Sequence, residues 1–277
     1  MSIPFGTGAN PRPTMKGEFS LGLAHAGAPI PAVYKPDYSH IPVKMQGTFG
    51  TCGAHAGSAL VSFLSGQDLS PKYVWSHIVQ TTPEAETIGT DQAAVFAALH
   101  INGDCHETLL PNTLPSTIQE YSDINQITQP IIDDAAPFGT GTPAYTNFPT
   151  MAQIKSAIFN NKVVMAMVKC GTGWYTNTSG IETYAALDIL PLRLGDYLSG
   201  HMIILWGYDE NFIYFRNSWG TTWGQNGDGW FDSSYLPNVV EIGAAVEVPS
   251  TSQQIISDYE KVISILEEEI ALLKNKI

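Results

Sequence analysis

Asn217-Ser218-Trp219-Gly220-Thr221-Thr222-Trp223-Gly224-Gln225-Asn226-Gly227-Asp228-Gly229-Trp230 is the stretch on which the fold turns. Glycines set between large aromatics read as tight turns joining short, well-packed strands. The flanks agree. HMIILWGYDE (201–210) and NFIYFRNSWG (211–220) are β-branched and aromatic runs, and GWFD (229–232) and VVEIGAAVEVP (239–249) continue the pattern. Residues 200–249 therefore read as strand and turn.

Upstream the period changes. From Cys52 to Leu64 the apolar residues Ala56, Leu60, Val61 and Leu64 recur at helical spacing, with Gly66 as a stop. LSPKYVWSHIVQ (69–80) places Pro71 in a first turn, and DQAAVFAALHINGD (91–104) closes at Asn102-Gly103. TMAQIKSAIFNN (150–161) is a helix capped by Thr150, and KVVMAMVKC (162–170) a buried strand. The Pro-, Thr- and Asn-rich stretch from about 107 to 148 reads as a long surface excursion. Helices in the first half and strands in the second make an α+β chain with a seam where a cleft can form.

Composition narrows the function. Thirteen Lys plus Arg against 26 Asp plus Glu leave a net charge of −13, which argues against nucleic-acid or anionic-membrane partners. No apolar run is long enough to span a membrane. The opening residues lack the pattern of a secretory signal, so a cytoplasmic or particle-enclosed protein is expected. Three cysteines, Cys52, Cys105 and Cys170, are too few for a disulfide framework, and no C-x-x-C spacing supports a metal; no cofactor is expected.

A nucleophilic thiol needs a helix start and an imidazole. Cys52 follows a glycine turn (Phe49-Gly50-Thr51) at the start of a predicted helix. His201, after Ser199-Gly200, opens an apolar strand at the seam. Sixteen residues on, Asn217 offers an amide oxygen to the second imidazole nitrogen. Gln46, six residues before Cys52, can join the Cys52 amide in an oxyanion hole. The sulfur and the imidazole are expected to meet across the cleft as an ion pair.

Together, Gln46-Gly47-Thr48-Phe49-Gly50-Thr51-Cys52, Gly200-His201-Met202, Gly207-Tyr208-Asp209 and NSWGTTWGQNGDGW resemble the papain-like cysteine peptidases over about residues 37–248. The resemblance implies a two-lobe α+β fold, with a helical left lobe (about 46–140) and an antiparallel right-lobe sheet or barrel (about 141–249). It implies Cys52 as nucleophile, His201 as base and then acid, Asn217 as orienter and Gln46 as oxyanion donor, acting on peptide or protein substrates through an acyl-enzyme. It also implies that Trp219 shields the His–Asn bond and Trp223 lines the primed side, with Gly89 in the strip that pairs with substrate backbone and Gly50 and Gly200 beside it.

The sequence departs from the family pattern in three places. The usual Cys-Gly-Ser before the nucleophile is Phe49-Gly50-Thr51, so its cysteine is missing; Gly53 replaces the usual aromatic, and Gly200 stands where many members have Asp. Residues 1–36 form an extended arm, long enough to cover the cleft but shorter than the usual inhibitory pro-segment. An alternative is therefore a weak or silent particle scaffold that keeps the fold; another is a different thiol acyl transfer. Taken alone, a cysteine at a helix start is most often structural; the matched Gln46, His201 and Asn217 favour catalysis. His55, His77, His100 and His106 lack matched partners and read as surface or satisfied core. Asn177-Thr178-Ser179 is a glycosylation sequon read as silent. In the tail (250–277), Ile256, Tyr259, Ile263, Leu266, Ile270, Leu273 and Ile277 form a seam, so an amphipathic coiled-coil helix that supports homo-oligomers through 252–277 is expected.

Overall fold

A computed structural model of the chain describes residues 8–12, 30–171, 174–175 and 200–245. The tail helix and the sequon at 177–179 lie outside the described residues.

The helical half begins with α1 (Cys52–Ser65), which stops at Gly66 in a left-handed conformation (φ 73°). α2 (Pro71–Thr81) starts where the Ser70 side chain accepts the Tyr73 amide, with Pro71 at its first position. α3 (Gln92–Asn102) is capped by Asp91, which accepts from Ala94 N. α4 (Met151–Asn161) opens on a reciprocal capping box between Thr150 and Gln153. Since that box is exposed, Thr150→Ala should cost about 1 kcal/mol, read as a lowered urea midpoint with an unchanged slope. An unchanged midpoint would show that the box carries no stability.

Six strands form one antiparallel sheet in the order β1-β6-β2-β3-β4-β5. They are β1 (Pro143–Asn147), β2 (Val164–Lys169), β3 (Gly200–Tyr208), β4 (Ile213–Arg216), β5 (Asp228–Phe231) and β6 (Val239–Ala245). β2 is apolar and buried from Val164 to Val168 because both its faces are covered. Met165 and Met167 join Met202 and Ile204 of β3 against α1 and α3. Val164, Ala166 and Val168 face the other way, with Ile154, Ala157 and Ile158 of α4. On that second side Trp174, Phe215, Trp219, Trp223, Phe231 and Tyr235 make an aromatic core beneath the 217–230 stretch.

Strand and helix positions match the sequence expectations closely, with one correction. The supposed surface excursion of 107–148 contains short helical turns at Ile118–Tyr121 and Gln129–Ala135 and ends in β1, an edge strand of the sheet. Pro143, Thr146 and Asn147 hid β1, because an edge strand tolerates residues that a central one rejects.

Two segments before Cys52 tie the halves together. Tyr34 and Tyr208 exchange both backbone hydrogen bonds (2.9 and 2.8 Å), and Gly220 N donates to Lys44 O (3.0 Å). Residues 8–12 cross the molecule between the Gly89-Thr90 turn and the start of β3. Thr90 N donates to Gly8 O (2.7 Å), Ala9 N donates to Gly200 O (3.1 Å) and Asn10 N to Thr90 O (2.9 Å).

Candidate active site

Cys52 occupies the first position of α1. Thr51 makes no side-chain cap, which leaves first-turn amides to face the sulfur. Burial pushes the Cys52 thiol up to about 11, offset in part by hydrogen bonds from the amides of Met202, Gly8 and Gly53. Met202 directly follows His201, so β3 brings the backbone beside the imidazole to the sulfur, while among the described residues His201 Nδ1 itself makes no hydrogen bond. α1 packs on β3 closely: a Cβ placed on Gly53 would lie 3.3 Å from the Met202 sulfur and 2.4 Å from Thr90 Cγ2. An aromatic at position 53 has no room here, which accounts for that departure from the family pattern.

His201 is fully buried, and its Nε2 lies 2.7 Å from Asn217 Oδ1. The same oxygen takes the Ser218 amide at 2.7 Å. A backbone N–H can only donate, so the Asn217 atom between them is the oxygen, and His201 Nε2 must carry the proton. The other nitrogen, Nδ1, is then the basic one. The Trp219 ring covers the imidazole at a centroid distance of 4.7 Å, and Trp219 is itself wholly buried. Asn217 is held from behind by its own amide, which donates to Gly227 O (2.9 Å). Arg216 grips Asp228 with Nε and Nη2 (2.8 and 3.0 Å) and Ile41 O with Nη1 (2.6 Å), locking the β4 end from which Asn217 projects.

Gln46 is brought to the same loop by its amide, which donates to Ser218 O (2.9 Å). Ser218 Oγ donates to Gln46 Oε1 (2.5 Å), which fixes the amide so that Nε2 faces Phe49 O at 2.8 Å and the turn before Cys52. Gly89, Gly50 and Gly200 surround residues 8–12. A Cβ on Gly89 would lie 1.8 Å from Gly8 O, one on Gly200 would lie 2.1 Å from Ala9 O, and one on Gly8 would lie 2.4 Å from Gly50 O. The groove therefore accepts an extended chain only because these residues lack side chains. Trp223 is fully buried in the aromatic core and donates Nε1 to Trp174 O (2.7 Å), a core position rather than an open wall.

The thiol and the imidazole are both neutral in this covered state. Burial lowers His201 to about 4, partly offset by Asn217, while it raises Cys52. The expected ion pair differs for one physical reason: Gly8 lies over the sulfur and removes the solvent that would stabilise both charges. Ser218 and Arg216 were missed in the sequence, and which residues of the arm enter the cleft was not readable from it. A buried arginine between Phe215 and Asn217, with Asp228 twelve residues on, was the available signal for Arg216.

The comparisons with known proteins agree with this geometry. A family described as papain family cysteine protease matches residues 133–248, which include His201 and Asn217. A search of curated proteins finds no match. Among solved structures, the chain is similar to xylellain, a cysteine protease from Xylella fastidiosa, with a TM-score of 0.63 and 16% identity over 89% of this chain and 99% of that one. It is similar to digestive procathepsin L 3 from the larval midgut of Tenebrio molitor (TM-score 0.62, 15% identity, 88% of this chain and 77% of that one). ProCathepsin B from Trypanosoma congolense gives a TM-score of 0.60 at 14% identity, over 87% of this chain and 86% of that one. At these identities the likeness speaks for the fold, and the family match speaks for residues 133–248. Residues 133–248 match the papain family of cysteine proteases, and the fold that they complete is the papain-like one.

Proposed function

We propose that the chain is a cysteine-type peptidase working through Cys52, His201 and Asn217. The observation that carries this reading is the 2.7 Å bond from His201 Nε2 to Asn217 Oδ1, which leaves Nδ1 as a base on the residue next to the sulfur's amide donor, Met202. Once the cleft opens to water, His201 Nδ1 takes the Cys52 proton and the thiolate attacks a peptide carbonyl. The Cys52 amide and Gln46 Nε2 receive the oxyanion. His201 then gives its proton to the leaving amine, and water, deprotonated by His201, releases the acid and the free thiol.

The test uses a chain whose arm is expelled by Gly8→Val, with a fluorogenic protein substrate. In that background Cys52→Ala should lower kcat by about four orders of magnitude. Hydrolysis retained by the Cys52→Ala chain would end the reading.

A second reading, a silent scaffold that keeps the fold, is favoured by one observation: Cys52 is wholly covered by the chain's own arm. It predicts that Gly8→Val exposes the thiol to alkylation, yet no member of a broad peptide library is cut.

A further inference from the structure

Behind Asn217 two buried nitrogens with opposite needs meet at one small cavity. His55 lies in the first turn of α1, just after Cys52, and its Nδ1 stands 3.0 Å from Thr51 O. A carbonyl only accepts, so Nδ1 carries the proton. Burial, reinforced by Lys44 and His201 and opposed by the Thr51 carbonyl, lowers His55 to about 4. The ring is therefore neutral and its Nε2 is a bare acceptor. Asn217 has the complementary need. Its Oδ1 is taken by His201 Nε2 and by the Ser218 amide, both at 2.7 Å, so its Nδ2 presents donors only. Among the described residues neither His55 Nε2 nor Asn217 Nδ2 makes a hydrogen bond, and both residues are only 2% exposed.

His55 and Asn217 line one cavity of about 20 Å³ between α1, β3 and the end of β4, together with Lys44, Met202, Arg216 and Ser218. That volume suits a single water. An anion is disfavoured, because the cations on the wall are already engaged: Lys44 Nζ by Asp68 (2.5 Å) and Glu107 (3.0 Å), and Arg216 by Asp228 (2.8 Å). We propose that one buried water here accepts from Asn217 Nδ2 and donates to His55 Nε2, which makes His55 a positioning residue for the asparagine that orients His201. The inference deepens the peptidase reading and rests on it. The helix that presents the Cys52 sulfur would then also hold the amide behind the imidazole, so that nucleophile and base are registered against one rigid element. Without the bridge Asn217 Oδ1 keeps its two donors, but the far side of the amide is unrestrained and the imidazole follows it.

A high-resolution crystal structure of the unsubstituted chain, with kinetics in the Gly8→Val background, tests this. The expected structure has one ordered water within hydrogen-bonding distance of both nitrogens. His55→Phe should remove it and loosen the Asn217 amide, whereas His55→Gln, whose terminal amide reaches the place of Nε2, should keep both. With a fluorogenic protein substrate, His55→Phe should lower kcat by about tenfold and leave KM within about twofold, and His55→Gln should return kcat to within about threefold of its parent. If His55→Phe does not fold, His55→Leu takes its place. A dry cavity, or a water that touches only one nitrogen, would overturn the proposal. So would kcat unchanged by Phe, or equal losses with Phe and Gln, since His55 would then be packing alone; hydrolysis in those chains would leave the peptidase standing. A bridging water and an Asn217 amide loosened by Phe but not by Gln, in chains that cut nothing, would uphold the positioning role and sink the peptidase.

Discussion

Gly8→Val should raise the rate at which iodoacetamide alkylates Cys52 at pH 7 by at least about thirtyfold. With the arm in place the thiol titrates at about 11, so at pH 7 roughly one molecule in ten thousand holds a thiolate. An uncovered cysteine near the ordinary value of about 8.5 holds a few per cent. The gain in thiolate is about three-hundredfold, and the weaker nucleophilicity of a less basic sulfur gives back roughly a factor of ten. Removing the steric cover adds to the remainder. Valine achieves this because a Cβ at residue 8 meets Gly50 O at 2.4 Å and Gly50 C and Cα at 2.9 Å, backbone atoms with nowhere to move. The covered state has the raised pKa, so it holds its proton longer. Covering is favoured at neutral pH and weakens as pH rises from the uncovered value towards about 11. Alkylation rates measured from pH 6 to 11 should inflect about two pH units lower in the variant. Identical profiles would show that the arm does not control the sulfur.

Acid should unfold the chain through its buried imidazoles. His55 and His201 are both lowered to about 4 by burial. An unfolded histidine titrates near 6.5, so each contributes stability that is present above 6.5 and is lost as pH falls towards 4, about 3 kcal/mol apiece. Asp104 acts in the opposite direction. Burial raises its carboxyl well above the usual range, so its protonated folded form is favoured as pH falls. The bare pH profile therefore mixes signs, and a difference isolates the histidine. His55→Phe, a planar replacement, should make the loss of stability between pH 7 and 4 smaller by about 3 kcal/mol, read from urea midpoints at each pH. Equal losses in the two chains would remove His55 from the account.

The strands after Gly200 and the helices capped by Ser70, Asp91 and Thr150 were legible because each signal is local: a period, a cap, a glycine stop. Gln46, His201 and Asn217 could be picked out because thiol catalysis calls for those residue types and their order and intervals resemble the papain-like pattern. Three features were not legible for a shared reason. β1 pairs with β6 about a hundred residues on, Arg12 meets Glu241 across 229 positions, and Gly8 reaches Cys52 only through Gly200 and Thr90. None of these contacts leaves a periodic trace. The neutral state of Cys52 and His201 follows from the last of them, and residue types alone do not reveal it.

The arm and the cleft are parts of one polypeptide, because residues 30–45 are pinned to the sheet by the Tyr34–Tyr208 exchange while residues 8–12 fill the groove. Occupancy is thus a first-order matter, with an effective concentration on the order of millimolar that no dilution of the protein can alter. A single cut anywhere between residues 13 and 29 would change its molecularity. The groove would then empty at a concentration set by the free peptide's own dissociation constant, and diluting a nicked sample would switch on what diluting an intact one cannot.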